Sequence, residues 1–466
     1  MPEATSFVEL IFETLSGAFK KKDEVSEVLK MFELSNESIQ EIMNLLRKDF
    51  DNGLSASENQ RAESSVKMLP TYVRAIPSGS ESGDFLAVDL GGTNFRLLSI
   101  SIRNGQVKDT IEIPPLTQTV KTSDAETFFD YIAHHISLFV KKHDLSDKSL
   151  PLGFTFSFPV KQSSLISGSL IRWTKGFSAS GVENEDVVKL LREALVRNGM
   201  SSTVDVVALV NDTTGTMMSC AFENPLVSAG LILGTGTNAC YMESLDNIPK
   251  WDGDQDEPRQ VIINTEWGAF GDNGSLDHLR TKYDEQLDRE SSNPREQIFE
   301  KMISGMYLGE LARIVCMDLV EKKLLFKGQV TEKFRRKNSF PAEFVSLVES
   351  RDGHKIEEVL KAMEVAKQAS ESDIENLQRV CAAVSLRAAK VAAAGVATIV
   401  KKTGNYTTTI AADGSLFKRH PQFKNYMQET LAEILPEADI TLMLSEDGSG
   451  KGAALIAAVA SQMKKH

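Results

Sequence analysis

The chain has 466 residues, 41% of them apolar, which allows two or three domains with sizeable cores. Its 52 basic and 65 acidic side chains leave a net charge of -13, which argues against nucleic acid or an anionic membrane as the main partner. The four cysteines, Cys220, Cys240, Cys316 and Cys381, lie scattered in apolar segments without CxxC spacing, so they indicate neither a disulfide framework nor zinc, but buried free thiols in a reducing, cytoplasmic setting.

At the start, Glu3, Glu9 and Glu13 alternate with Phe7, Leu10, Ile11 and Leu15, the pattern of an amphipathic helix and not of a signal peptide. The longest strongly apolar stretches, including Val391 to Val400, fall short of the roughly 18 residues a membrane span needs, so no transmembrane segment is expected. Residues 1 to about 70 read as a helical arm with a break at Asn52 and Gly53. Ser35 or Asn36 would cap its helix carrying Ile39, Ile42, Leu45 and Leu46. Pro70 to Asp84 is the link into a first α/β unit that runs to about Val210.

That unit opens with FLAVDLGGTNFRLLSI, residues 85 to 100. Phe85 to Leu90 and Phe95 to Ile100 are strand-like, so Asp89 to Asn94 must reverse the chain and leave backbone N–H groups to hold phosphate oxygens. Gly91 and Gly92 allow close approach, Thr93 and Asn94 add side-chain hydrogen bonds, and Asp89 could hold a hydrated Mg2+. An ordinary hairpin turn with a solvated acid is the alternative for this loop alone.

Further on, LGFTFSFPVKQSSLISGSLIRWTKGF begins as a strand that Ser157 and Pro159 end, then turns polar and turn-rich, as a binding loop would. Thr174 and Lys175 sit in its short exposed WTKGF run. Asn211 and Asp212 follow the apolar VDVVALV, at the strand's carboxyl end where ligands of α/β sheets collect. An Asp there could take a proton from a hydroxyl nucleophile, or simply cap a helix before Thr213 and Thr214. The run GLILGTGTNACYME then repeats the first hairpin, with Gly234, Thr235, Gly236, Thr237 and Asn238 at the turn, which suggests a duplicated domain with one phosphate loop per copy. Residues 234 to 239 also fit a GxGxxA dinucleotide fingerprint, but a strand-like segment follows where that motif needs a helix.

Two acids sit in apolar surroundings: Glu266 in INTEWGAFGDNG, and Glu300 heading a stripe with Ile303, Tyr307, Leu311 and Ile314. A polyol could satisfy such carboxylates with hydroxyl donors, joined by amides such as Asn211 and Asn238; structural salt bridges are the alternative. Helical patterns cover 294–337 and 374–401, and strands return at 406–411 and 440–444. IAADGSLFKRHP and SEDGSGKG are two more glycine-containing turns that could wrap a nucleotide's sugar and base, although the second is no Walker loop.

With LAVDLGGTNFR, LGFTFSFP, LIRWTKGF, VNDTTGT, GTGTNACYME, INTEWGAFGD, ADGSLFK and LSEDGSGKGAAL in this order, the chain closely resembles the eukaryotic hexokinase family over about residues 65 to 465. The resemblance implies an α/β, duplicated ribonuclease H-like (actin-like ATPase/hexokinase) fold with two domains around a cleft. Residues 1–73 would be an arm on the large domain, 74–210 with 452–466 the small domain, and 211–451 the large one. It implies phosphate loops at Asp89 to Arg96, including Gly91, Gly92, Thr93 and Asn94, and at Gly234, Thr235, Gly236 and Asn238. Sugar hydroxyls would meet Ser157, Thr174, Lys175, Asn211, Asp212, Asn238, Glu266 and Glu300. Asp212 would be the general base, and Lys175 would offset charge on the transferred phosphoryl group. The adenosine side would draw on Gly414, Ser415 and Lys418 with Ser346 and Ser449, and Asp89 would reach Mg2+ through water. The implied reaction is ATP-dependent phosphorylation of glucose, mannose or fructose at the 6-hydroxyl, the first step of glycolysis, by a cytoplasmic monomer or weak homo-oligomer. A catalytically weak sugar sensor would share every binding residue, and an actin-like structural ATPase would share the fold. The chain departs from the family at Ala411 and Ala412, where GVDGS is frequent, and at Asn184, where VEG is frequent.

Overall fold

A computed structural model describes residues 24–91, 95–173, 176–446 and 448–463. The amphipathic pattern before residue 24 and Gly92, Thr93, Asn94, Thr174 and Lys175 lie outside the described residues.

The arm contains α1 (Asn36–Leu54), whose Ser35 hydroxyl accepts from the Ser38 amide, so Ser35 is the cap and Asn36 the first helical residue. The helix runs on through Asn52 and Gly53 and ends one residue later. Ile39, Ile42, Met43, Leu46 and Phe50 recur at helical spacing and are buried in the core of the C-terminal half. A short strand β1 (Leu69–Pro70) closes the arm.

The first unit builds a meander of β2 (Gly83–Leu90), β3 (Phe95–Arg103) and β4 (Gln106–Glu112), all antiparallel. After α2 (Ala125–Lys142) comes β5 (Leu150–Phe156), parallel to β2. The polar, turn-rich stretch after Pro159, read as a binding loop, begins as a hairpin, β6 (Val160–Ser164) and β7 (Ser167–Leu170). Then α3 (Val187–Arg197) leads into β8 (Val204–Val210), parallel to β5, and the sheet order is β4-β3-β2-β5-β8.

The second unit repeats this plan strand for strand. After α4 (Asp212–Glu223), the strands β9 (Val227–Leu233), β10 (Thr237–Ser244) and β11 (Gln260–Asn264) form the antiparallel meander. Helices follow, among them α5 (Ile298–Ile303), α6 (Gly305–Glu321), α7 (Ala342–Glu349) and the 33-residue α8 (Glu371–Thr403). Next come β12 (Thr407–Asp413) parallel to β9, the helices α9 (Ser415–Arg419) and α10 (Phe423–Ile434), β13 (Asp439–Leu444) parallel to β12, and α11 (Gly448–Met463). The sheet order is β1-β11-β10-β9-β12-β13, the order of the first sheet with the arm's strand added at the edge.

Each unit ends in a helix that packs on the other unit's sheet: α4 lies on β9 and β12, and α11 on β2 and β5. The two helices cross where glycines meet. A Cβ on Gly452 would lie 1.8 Å from the Gly215 carbonyl oxygen, and one on Gly215 2.7 Å from that of Ser449. Side chains from both sheets and both helices, including Ala87, Leu98, Val207, Met217, Ala411 and Leu455, form one shared core.

Helix α8 qualifies the reading of the apolar stretches. On length and composition it could cross a membrane, but most of its apolar stretch is buried inside the protein. It is capped by Ser370 and Asp373 at one end and by Gly404 at the other, and forms the spine of the larger core.

Candidate functional site

The hairpin register makes Asp89 and Arg96 direct cross-strand partners beside the β2–β3 turn. Arg96 Nε donates to Asp89 Oδ2 at 2.8 Å, and its Nη2 binds both that oxygen and Ser449 Oγ, the latter at 2.7 Å. Ser449 Oγ itself donates to Asp89 Oδ2 at 2.8 Å. The first turn is thereby fastened to the N-terminus of α11, where amide groups and the helix dipole favour anions. Ser157 stands next to it, its amide donating to the Leu90 carbonyl at 3.1 Å. Gly91 lies at the turn itself.

Asn211 is the N-cap of α4, its Oδ1 accepting from the Thr213 amide at 2.9 Å, and Asp212 is the first helical residue, accepting from the same amide at 2.9 Å. The capping role belongs to Asn211, which leaves Asp212 half-buried at the mouth of the helix. Asn211 joins a net of amides: Asn238 Nδ2 lies 3.5 Å from Asn211 Oδ1, 2.8 Å from Asn264 Oδ1 and 3.0 Å from Glu266 Oε1. Asn264 Nδ2 also donates to Glu266 Oε1 at 2.8 Å. Glu266 is held in the left-handed region, φ 52°, by the turn that begins after β11.

Glu300 lies in the first turn of α5 and accepts from the Thr237 amide at 2.9 Å, so its carboxylate sits against the second glycine turn. The apolar stripe read through it is two helices, α5 and α6, hinged at Ser304. Tyr307 on α6 is pushed up to about 12 by burial and then by the Glu300 charge. The turn is fixed on two further sides. Gly305 and Met306 amides donate to the carbonyls of Gly234 and Thr235 at 2.8 and 3.1 Å, and Gly414, at φ 113°, packs where any Cβ would meet the Leu233 carbonyl at 2.3 Å. Gly236 makes the turn's return bond, its carbonyl accepting from the Gly234 amide at 3.0 Å. Ser415 and Lys418 follow on α9, exposed, with Lys418 Nζ 2.9 Å from Asp413. Ser346 lies on α7, donating to its own helix's Ala342 carbonyl at 3.2 Å.

Trp173 stacks on buried Phe177 at 5.4 Å among Phe128, Phe156 and Phe158. Asn184, where glycine is frequent in the family, has φ 67°, a conformation asparagine tolerates.

Two residues escaped the sequence reading. Asn264 ties Asn238 to Glu266 in the amide net but falls at the end of an apolar strand, where it reads as a core position. Asp272 accepts from the amides of Gln297 at 3.0 Å and Ile298 at 2.9 Å, which holds Gln297 at φ 60° and caps the helix that carries Glu300. Burial pushes its carboxyl up, against the pull of those two amides. A GDNG run looks like surface turn chemistry, and only the fold shows its partner.

Two copies of one five-stranded unit, each with a glycine hairpin turn and joined by exchanged helices, define the actin-like ATPase class of fold. The chain belongs to the hexokinase family, which matches residues 24–222 and 228–459. Hexokinase HKDC1 of Mus musculus is 42% identical over 99% of this chain and 50% of its own length. Hexokinase-1 of Homo sapiens is 44% identical over 95% of this chain and 49% of its own. The chain thus spans about half the length of the curated relatives it matches. The solved hexokinase of Schistosoma mansoni, complexed with glucose, superposes with a TM-score of 0.85 at 39% identity, covering 94% of this chain and 99% of that one.

Proposed function

We propose that the protein phosphorylates a hexose at its 6-hydroxyl with ATP. The observation that carries this reading is the net of Asn211, Asn238, Asn264 and Glu266 beside Asp212, a set of amides and carboxylates suited to a polyol. Glucose is the first candidate, given the ligand of the Schistosoma relative, with mannose and fructose next. Glu266, Glu300, Asn211, Asn238, Ser157, Thr174 and Lys175 hold the sugar's hydroxyls. Asp212 Oδ accepts the 6-hydroxyl proton as that oxygen attacks the terminal phosphorus, the bond to the departing ADP breaks, and Lys175 offsets the charge of the moving phosphoryl group.

The turns at Gly91, Gly92, Thr93, Asn94 and Arg96, and at Gly234, Thr235 and Gly236, hold phosphate oxygens. Gly414, Ser415, Lys418, Ser346 and Ser449 line the nucleoside side. No cluster of three or more acidic, His or Cys ligands occurs among the described residues, which fits Mg2+ that arrives on the nucleotide phosphates and keeps its own waters. Asp89 is the carboxylate assigned to that water shell; the ion would neutralise phosphate charge. The small domain, 74–210 with 452–466, closes over the large domain, 211–451, when sugar binds, excluding water as a competing acceptor. The free, buried thiols support a reducing, cytoplasmic setting for this step at the head of glycolysis.

Replacing Asp212 by Ala is expected to lower turnover by about 10²- to 10⁴-fold, on the order of 3 to 5 kcal/mol, with nucleotide binding retained. Initial rates with ATP and Mg2+ across a sugar panel test the reading: no sugar-dependent ADP release sinks it, and sugar binding without turnover makes the protein a sensor.

A further inference from the structure

Behind the nucleoside side lies a buried polar cluster that the reaction does not use. His420, 5% exposed, ends α9, two residues after Lys418. Its Nδ1 accepts from the amides of Gln422 and Phe423 at 3.2 and 3.1 Å, so the imidazole caps α10, whose own N-cap residue, Gln422, makes no side-chain capping bond. An accepting Nδ1 carries no proton, which places the proton on Nε2 and makes that nitrogen the donor.

The Nε2 proton points at Glu349 Oε1 and Ser385 Oγ, each 3.1 Å away. Ser385, on α8, donates its hydroxyl to the same carboxylate oxygen. Tyr426, on α10, donates to Glu349 Oε2 at 3.3 Å, and burial followed by the Glu349 charge pushes its hydroxyl up to about 12, so it stays a donor. One buried carboxylate therefore gathers three neutral donors from three elements, a fully used network that fixes their spacing. Glu349 is the last residue of α7, three positions after Ser346.

We propose that His420 and Glu349 are positioning residues for the nucleotide. Their hydrogen bond sets the distance between α7, which carries Ser346, and α9, which carries Ser415 and Lys418, so that both helices present their side chains to one adenosine moiety. The proposal rests on the assignment of these three residues to the nucleoside side. It places no catalytic duty on the imidazole, whose two nitrogens are both committed.

The two nitrogens can be separated by substitution. In His420→Asn the amide oxygen keeps the Nδ1 capping position and the link to Glu349 is lost; in His420→Gln the longer amide reaches Glu349 and the cap is weakened. The expected result is a rise in KM for ATP of about tenfold to a hundredfold in His420→Asn, the scale of one charge-assisted hydrogen bond. KM for glucose stays near wild type, and His420→Gln recovers much of the loss. Glu349→Gln, which keeps size and removes the charge, gives the same selective rise and decides the matter if His420→Asn does not fold. Lys418→Ala is measured beside them. Unchanged ATP affinity in the His420→Asn and Glu349→Gln enzymes, with affinity lost in Lys418→Ala, overturns the positioning role and leaves the nucleoside side standing. Unchanged affinity in all three overturns the nucleoside-side assignment and the proposal with it. Equal rises for ATP and glucose assign the cluster to general stability and also overturn the proposal.

Discussion

Asp272 touches no proposed substrate atom, yet it holds the backbone from which Glu300 projects. Replacing it by Ala leaves the amides of Gln297 and Ile298 without their acceptor in a partly buried place. The expected cost is about 1 to 2 kcal/mol of stability, with a rise in sugar KM of about tenfold. Urea denaturation and sugar-dependent rates check both, and Asp272→Asn, which keeps one acceptor oxygen, recovers part of each. At this scale the sequence was legible where a side chain broke its local pattern. Glu266 and Glu300 stood out as acids in apolar surroundings, and Asp212 as an acid ending an apolar strand. Asn264 and Asp272 were hidden because an amide at a strand end and an acid in a glycine turn are ordinary until their distant partners are seen.

Elements are held to one another by a few buried charges. Arg387, in the middle of α8, makes two 2.6 Å bonds to Asp284 on the helix Lys282–Glu290, and its guanidinium lies over the Phe32 ring of the arm. Burial alone would push the Asp284 carboxyl up, but Arg387 and the Thr281 donors outweigh it and hold the group below its ordinary 3.8. A depressed folded-state value stabilises the protein above the ordinary one, and that contribution is lost as pH falls through the folded value. Wild-type stability is expected to decline on acidification below about pH 4. In Arg387→Met the stranded carboxylate costs about 3 to 5 kcal/mol at neutral pH, and the deficit narrows toward low pH as Asp284 takes up a proton. Denaturant titrations of both proteins between neutral and acid pH measure this; a deficit that does not change with pH argues against the pairing.

At the scale of the whole molecule, the crossing of α4 and α11 joins the two units at backbone contact. Gly452→Ala would place a methyl group against the Gly215 carbonyl and force the helices apart. The expected loss is about 1 to 3 kcal/mol of stability, lower kcat, and a smaller sugar-induced compaction in solution scattering. Compaction and turnover like those of wild type would free the crossing of any part in closure. The two hairpins that revealed the duplication were legible because each packs its signal into a short run: apolar strand, glycine turn, strand. The exchange of closing helices was not, since α4 and α11 are built largely of small residues and periodicity does not say which sheet a helix will cover. Helix α8 was legible by its periodicity, the helical pattern at 374–401 falling within three residues of each end of Glu371–Thr403.

The exchanged helices also bear on how the protein is made. Synthesis is vectorial, so the first sheet emerges with the face formed by Ala87, Leu98, Ile100 and Val207 bare, and its cover, α11, is translated only after the whole of 211–447. Through that interval the ribosome carries a half-built sandwich with an open apolar flank, a natural client for a chaperone. Ribosome-bound chains stopped before residue 448 are expected to be protease-sensitive in the first unit, and to gain protection when a peptide of α11 is supplied in trans. Protection of that unit without α11 would mean that it folds alone, and that the helix arrives at a surface already closed.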